Sequence, residues 1–114
     1  MRAYTTLEES KALVDAGLDP KTADMHYTLA EDYSIFILYA DNEVAHNDRV
    51  IPCWSLAALL NLLESNRIHY NLMYRSYDTE LHIYRYKSPD SYEYSEWFEE
   101  PVNAILWLLE NKYL

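Results

Sequence analysis

The chain has 114 residues, which suits one domain, because two separate cores of half that size would each bury too little apolar surface. Half of the residues are apolar and a quarter are charged, so the composition excludes an intrinsically disordered chain. The formal net charge of -10 opposes direct nucleic-acid binding, and the single glycine, Gly17, excludes glycine-rich phosphate loops.

The N-terminal segment predicts one helix and one short helical turn. Thr6 and Glu9 have capping-box spacing and Gly17 provides a left-handed stop, so we predict a helix over residues 7–16. Asp19 followed by Pro20 has the pattern of a second helix start, with room for about one turn.

The following segment has the periodicity of strands. Apolar and polar residues alternate from His26, residues 30–32 predict a turn, and residues 33–40 are rich in β-forming types. The contiguous apolar residues of this run predict a strand that is central in its sheet or covered on both faces. Residues 41–49 predict a polar loop, and the short strand that follows should lie at a sheet edge or strand end, because it contains Pro52.

Two amphipathic helices are predicted in the second half of the chain. Ser55 is a good N-cap for a helix over residues 56–64, whose leucines recur at helical spacing. Pro101 suits the first turn of a helix that ends at Glu110 and carries a similar apolar stripe.

A β-hairpin is predicted between these helices, with strands over residues 68–77 and 80–87 joined through residues 78–79. That loop implies the pairs Tyr74–Ile83 and Ser76–Leu81 on one face and Met73–Tyr84 and Arg75–His82 on the other. The loop lacks the glycine typical of a tight turn, so a longer loop is the alternative. Residues 92–94 predict a short edge strand or an extended loop.

Together these elements predict a single α+β domain over residues 1–114, a mainly antiparallel sheet with two or three amphipathic helices packed on one face. The longest apolar runs are too short to span a membrane and no signal peptide is recognisable. Cys53 is the single cysteine, which suits a reducing compartment, and we expect a cytoplasmic protein.

Three segments carry a resemblance to other proteins: Asp-Pro-Lys-Thr-Ala-Asp-Met at residues 19–25, Ile-Pro-Cys-Trp-Ser-Leu-Ala-Ala-Leu-Leu at residues 51–60 and Ile-Leu-Trp-Leu-Leu-Glu-Asn at residues 105–111. Together they resemble small uncharacterised proteins encoded by gut anaerobic bacteria and by their phages and mobile elements. The resemblance implies an accessory gene product concerned with host–element conflict or phage growth. It transfers no functional residues.

Reactive chemistry has weak support. Cys53 precedes a predicted helix N-terminus, where a thiol pKa can fall, but no base lies nearby in the sequence and a buried structural role is favoured. The four histidines lack zinc-site spacing. A loose cation site is imaginable, although a solvated acidic loop is favoured, from Asp24, His26, Asp41, Glu43, His46 and Asp48. We therefore predict no catalytic residues, no metal and no cofactor.

Charge is unevenly distributed along the chain. Residues 22–48 and 88–111 each contain six acids and no Lys or Arg, whereas residues 67–87 form a mildly basic island. The outer face of the predicted hairpin shows Met73, Arg75, His82, Tyr84 and Tyr86, with Asn71 alongside, and Tyr, Met and Arg are types enriched at interface centres. The equally weighted alternative buries this face in a second small core beneath Tyr92, Tyr94, Trp97 and Phe98.

We accordingly expect a non-enzymatic protein–protein interaction module with an acidic, Tyr-rich surface. The expected biological role is that of a phage or mobile-element accessory protein or inhibitor, and the expected partner is a basic or nucleic-acid-binding protein. The predicted contact residues are Arg75, His82, Tyr84, Tyr86, Tyr92, Glu93, Tyr94, Glu96, Trp97, Glu99 and Glu100. The alternatives are an acidic nucleic-acid mimic, a small enzyme or ligand-binding domain that uses Cys53 or a His/carboxylate pocket, and a homodimer with a self-complementary Tyr-rich face.

Overall fold

The computed structural model describes residues 1–29, 35–39, 50–75 and 77–114, with the backbone alone for Leu29 and residues 35–39. Over these residues the helices are α1 (Leu7–Asp15), α2 (Leu56–Ser65) and α3 (Pro101–Glu110), with a 3-10 turn at Pro20–Thr22. The strands are β1 (Met25–Leu29), β2 (Ile35–Tyr39), β3 (Val50–Cys53), β4 (His69–Arg75), β5 (Asp78–Ser88) and β6 (Ser91–Phe98).

The α+β class and the antiparallel pairing are confirmed, but the strands are divided between two three-stranded sheets. The first sheet has the order β2-β1-β3 and the second has the order β4-β5-β6. The chain divides into two compact units, residues 2–58 and residues 59–114, the latter together with Met1.

Local capping explains the first helix of the first unit. The Thr6 hydroxyl accepts a hydrogen bond from the Glu9 N–H at 3.1 Å, and the Glu9 carboxylate accepts one from the Thr6 N–H at 2.9 Å. At the other end Gly17 has a φ of 96°, and the Leu18 N–H donates to the Leu13 carbonyl at 3.0 Å. The predicted helix over residues 7–16 is confirmed, because both of its signals act within one turn.

The first sheet corrects one prediction. Among the described residues, β2 from the apolar run over residues 33–40 lies at a sheet edge and the central strand is the alternating β1, so the prediction of a central strand is wrong; the alternative of a strand covered on both faces concerns side chains outside the described part. β1 forms backbone pairs with a strand on each side, with Tyr27 opposite Ile37 of β2 and Ile51 of β3, so β1 is the middle strand of this sheet. Pro52 lies in β3 at the other edge, as its missing N–H predicts. The predicted turn at residues 30–32 and loop at residues 41–49 lie outside the described residues.

The β4–β5 hairpin has a different register from the predicted one. Arg75 pairs with Asp78 and Leu72 with Leu81, so the connection lies at residues 76–77, two residues earlier than predicted. Tyr77 has a φ of 72°, a left-handed conformation that the sequence pattern assigns to glycine or asparagine, which explains the error. The register differs from the predicted one by an even number of residues, so the paired residues of β4 and β5 keep their predicted faces.

β6 is longer than the short edge strand predicted at residues 92–94. It pairs along β5 with Tyr84 opposite Ser95 and His82 opposite Trp97, and its register shifts beyond Arg85, where the strands bulge. Because successive strand residues point to opposite faces, β6 sends neighbouring side chains in two directions.

One face of the second sheet packs against α3. Leu81 and Ile83 of β5 are fully buried, and the rings of β6 reach the helix. The Tyr94 ring centroid lies 5.3 Å from that of Trp107, and the Phe98 centroid lies 6.4 Å from Trp107. The opposite sheet face is therefore the one to consider as a contact surface.

Among the described residues, none of the helices has the length and hydropathy that a membrane span requires.

Candidate interaction surface

Cys53 lies in an environment unlike that of a nucleophile. Its side chain is fully buried in the first unit, with Sγ 3.5 Å from the Thr5 carbonyl oxygen and 3.7 Å from the Thr5 hydroxyl. Burial raises the pKa of the Cys53 thiol, against a smaller opposing effect of its hydrogen bond to Thr5. Because nucleophilic cysteines need a lowered pKa and access to solvent, the structural role favoured by the sequence fits these contacts.

A hydrogen-bonded network surrounds this thiol. The Tyr27 hydroxyl donates to the Thr5 carbonyl at 2.6 Å, and the Thr5 hydroxyl lies 2.7 Å from that of Ser10. The Trp54 N–H also donates to the Thr5 hydroxyl at 3.1 Å. Burial is the main cause of a strongly raised Tyr27 pKa, with Cys53 next. Thr5 thus satisfies the buried polar groups that join β1, β3 and the segment before α1.

Only Asp24 and His26 of the loose cation site suggested by the sequence lie among the described residues. Asp41, Glu43, His46 and Asp48 lie outside the described residues. Asp24 accepts hydrogen bonds from the backbone N–H of Ser55, at 2.9 Å, and from its hydroxyl, so its carboxylate supports the start of α2. No group of three or more metal-ligating side chains occurs among the residues that the structure describes.

The face of the second sheet opposite α3 carries a set of planar side chains. We call this set the aromatic face: His69, Arg75, His82, Tyr84, Tyr86, Tyr92 and Trp97. All three strands contribute, since the register places the β4, β5 and β6 members on one side of the sheet. Tyr86, Tyr92 and Trp97 are exposed by 54%, 49% and 37% of their surface.

The first part of the aromatic face is a continuous stack. The rings of Trp97 and His82 lie 4.3 Å apart with an interplanar angle of 7°, and Tyr84 stacks on His82 at 5.0 Å. His69 stacks on Tyr84 at 5.5 Å, so the stack extends from β6 through β5 to β4. The Arg75 guanidinium lies 4.2 Å from the Trp97 ring centroid, which adds a cation–π contact.

A second pair of rings continues the set. Tyr86 and Tyr92 stack at 4.7 Å with an interplanar angle of 19°, and both meet Tyr84 edge to face. Most of these rings thus use a flat face against a neighbour, and Tyr86, Tyr92 and Trp97 remain partly exposed to solvent. The surface is preorganised, because each ring is held by at least one other.

The charges beside the stack are largely paired. Nε of Arg75 lies 3.3 Å from a Glu80 carboxylate oxygen, and Nε2 of His82 lies 2.7 Å from the Ser95 hydroxyl oxygen. Burial, and then the positive charge of Arg75, lowers the pKa of His82. The His82 ring in the middle of the stack is therefore neutral near pH 7.

Six predicted contact residues come together on the aromatic face: Arg75, His82, Tyr84, Tyr86, Tyr92 and Trp97. In the alternative, Tyr92, Tyr94, Trp97 and Phe98 cover this face: Trp97 does stack on His82 and Tyr92 on Tyr86, whereas Tyr94 and Phe98 pack on the α3 side. Tyr94 is only 8% exposed and packs on Trp107 and Tyr113, so a partner on the aromatic face would not reach it.

The predicted acidic contacts lie elsewhere. Glu93 forms an ion pair with Arg85, with 3.1 Å between Nε and a carboxylate oxygen. Glu96 pairs with Ile83, whose side chain is on the α3 face, and Glu99 and Glu100 follow the end of β6. Strand alternation thus separates carboxylates and rings that are interleaved in the sequence, and the single acidic row required by a nucleic-acid mimic is not formed by these residues.

His69 is a member of the aromatic face that the sequence reading missed. It lies two residues before Asn71, so the period-two pattern of β4, extended by one step, would have placed it on the same face. Its stacking on Tyr84 depends on the β4–β5 register, which places the two residues opposite each other. The alternation of β4 could therefore have assigned His69 to this face from the sequence, but its stacking partner could not be predicted without the β4–β5 register.

The described residues thus form an α+β protein with one preorganised aromatic sheet face. Comparisons of the chain with models of known protein families, with curated proteins and with solved structures find no match.

Proposed function

We propose that the protein is a non-enzymatic interaction module that binds another protein through the aromatic face. The observation that carries the proposal is the combination of exposure and order in this set: Tyr86, Tyr92 and Trp97 are substantially exposed although each is stacked on a neighbouring ring. Tyr, Trp and Arg are the types that most often dominate the binding energy of interfaces. Prior ordering lowers the entropy lost when such rings are immobilised by a partner.

The arrangement favours a protein over a single-stranded nucleic acid. Base stacking needs free ring faces and a positively charged groove. Here the faces of His82 are used by Trp97 and Tyr84, and the guanidinium of Arg75 is paired with Glu80. Ring edges and phenol hydroxyls instead suit the mixed apolar and hydrogen-bonding centre of a protein interface.

The expected partner surface has an apolar centre and a basic rim. Glu93, Glu96 and Glu99 are exposed along or just after β6, an edge strand of the second sheet. Glu93 is paired with Arg85 and Glu96 is on the α3 side, so these carboxylates do not contact a partner docked on the aromatic face, but their negative charge would speed association with a basic partner at low salt. The resemblance noted above supports an accessory protein or inhibitor encoded by a phage or mobile element as the biological setting.

Site-specific photo-crosslinking tests the proposal. A photoreactive phenylalanine analogue at Tyr86 should capture a defined protein in the native cell, and the same analogue at Tyr74 should not. Tyr74 is a matched control, because it is 72% exposed and lies on the other face of the sheet. The captured protein should then bind the purified chain directly, and Tyr86→Ala should weaken that binding by about tenfold or more.

Two outcomes would contradict the proposal. Equal capture from Tyr86 and Tyr74 would mean that the aromatic face is not selective. Capture of a second copy of this chain from Tyr86, with a doubled mass in light scattering, would replace the heterologous partner with a homodimer.

A further inference from the structure

A cavity of about 210 Å³ lies in the second unit, where β4 begins. Asn66 and Arg67 directly follow α2, and Tyr113 follows α3, so the ends of both helices contribute to it. Its lining includes Arg67 and Arg85, together with Tyr94 and Tyr113.

The charge of this lining is opposite to that of its surroundings. Residues 59–114 contain nine acids and five Lys or Arg, yet two of the five bases and none of the acids line the cavity. Glu93, which is not part of the lining, forms an ion pair with Nε of Arg85 at 3.1 Å. A locally cationic recess in an acidic chain needs a physical reason.

Backbone geometry holds Arg67 at the cavity. The Arg67 N–H donates to the Glu64 carbonyl at 3.1 Å and the Ile68 N–H donates to Leu63 at 2.8 Å, which is the hydrogen-bond pattern of a Schellman motif. Arg67 occupies its left-handed position with a φ of 57°. Strand pairing positions the opposite wall, since Arg85 pairs with Tyr94, and His69 with Tyr84.

The geometry points to a binding site for a small phosphate-bearing ligand in this cavity, held by Arg67 and Arg85. Guanidinium groups donate paired hydrogen bonds that match phosphate oxygens, and a phosphate dianion balances two such groups. The phenol rings of Tyr94 and Tyr113, whose centroids lie 4.7 Å apart, provide walls for a small organic substituent. The volume corresponds to about seven waters at the liquid density, which admits a phosphate group and a few further atoms.

Another explanation of Arg67 needs no ligand. A cation after the last turn of a helix is stabilised by the helix dipole, and Lys112 occupies the equivalent position after α3. That explanation accounts for one charge at each helix end. It does not account for Arg85, which lies in the middle of β5 and lines the same cavity. The two explanations make different predictions for binding.

Titration of the purified full chain with inorganic phosphate and with phenyl phosphate, followed by the backbone amide resonances of residues 66–69 and 113, tests the site. Both probes should give saturable shifts at low ionic strength, and phenyl phosphate should bind more tightly because its ring contacts the tyrosines. We expect dissociation constants of roughly millimolar size, because Arg67 and Arg85 are exposed and solvent screens exposed charges.

Arg67→Gln and Arg85→Gln should each weaken phenyl phosphate binding by about tenfold. Lys87→Gln is the matched control, since it removes the same charge two residues from Arg85 on β5 but does not line the cavity. It should change binding by less than about twofold. If Arg67→Gln fails to fold, Arg67→Gly provides the same test with a residue that suits the backbone.

The proposal is overturned if neither probe saturates, if both arginine variants bind as the wild type does, or if Lys87→Gln loses as much affinity as they do. Saturation by inorganic phosphate alone would reject the organic substituent. The protein-binding proposal is tested at Tyr86, which does not line the cavity, so each of the two proposals can fail without the other.

Discussion

The imidazole of His82 lies parallel to the indole of Trp97, with 4.3 Å between the ring centroids and 7° between their planes. The two residues are directly opposite each other on β5 and β6. His82 also carries Tyr84 on its ring and approaches Ser95 through Nε2. This residue is thus the centre of the aromatic face, and its protonation and packing offer direct tests of that face.

Acidification should weaken the second unit through His82. The groups around its ring are Arg75, Trp97, Tyr84 and the Ser95 hydroxyl, and burial together with the Arg75 charge lowers the pKa of His82. The unfolded chain therefore binds this proton at a higher pH than the folded chain does. The contribution of neutral His82 is fully present above about pH 6.5 and is lost as the pH falls towards the folded pKa.

Urea unfolding at pH 7.5 and 5.5 measures this contribution. His82→Phe keeps a ring in the stack and removes the titration, so its stability should fall less than that of the wild type between the two values. The prediction fails if both proteins lose the same free energy of unfolding.

Trp97→Ala should destabilise the protein by about 1–2 kcal/mol, because it removes the stack on His82 and the cation–π contact with Arg75. Trp97→Phe retains a ring at the same position and should recover at least half of that loss. Chemical denaturation followed by far-UV circular dichroism gives both values. A loss below about 0.3 kcal/mol would mean that the exposed stack contributes little order.

The left-handed helix ends predict a pair of opposite stability changes. Lys112 has a φ of 61° and completes a Schellman motif after α3, with Tyr113 N–H donating to Leu108 at 2.8 Å. Lys112→Gly should stabilise the chain by about 0.5–1 kcal/mol, since glycine adopts this conformation without a Cβ penalty. Gly17→Ala should destabilise it by about 1 kcal/mol, although no atom lies within 4 Å of the added methyl group, because its φ is 96°.

Thermal or urea unfolding of these two variants provides the comparison. Lys112 does not line the cationic cavity, so Lys112→Gly should leave phenyl phosphate binding unchanged. Stabilisation by Gly17→Ala would contradict the assignment of the α1 end.

Cys53 should be unreactive in the native state. Its thiol is fully buried and its raised pKa disfavours the thiolate that reacts with disulfide reagents. We expect labelling by an aromatic disulfide to be slower than in denaturant by about 10³-fold or more, in proportion to the rarity of the open state. Rapid native labelling would instead place Cys53 at an accessible position and revive it as a reactive residue.

The helices and their ends could be predicted from local sequence signals. The capping box of Thr6 and Glu9, the glycine stop at Gly17 and the Ser55 cap each act through hydrogen bonds within about one helical turn. The leucine spacing of α2 and α3 likewise depends only on the helical repeat. Such signals can be read from neighbouring residues, so these elements were predicted with nearly correct bounds.

The sheet faces were determined in part. Alternation assigned Arg75, His82 and Tyr84 to one face, and this survived the register error because the slip was even. The sequence analysis also grouped Tyr94 with Tyr92 and Trp97 as contacts, whereas alternation from Trp97 places Tyr94 on the α3 face and the bulge beyond Arg85 returns Tyr92 to the aromatic face. The strand bounds were local properties, but the bulge depended on a partner strand.

Which rings stack and which charged side chains line the same cavity depends on contacts between distant segments of the chain. The Trp97–His82 stack requires β6 to lie beside β5, and the cavity joins Arg67, Arg85 and Tyr113 from three distant parts of the chain. These relationships depend on long-range strand pairing and on where α3 packs, and no periodicity within one segment encodes them.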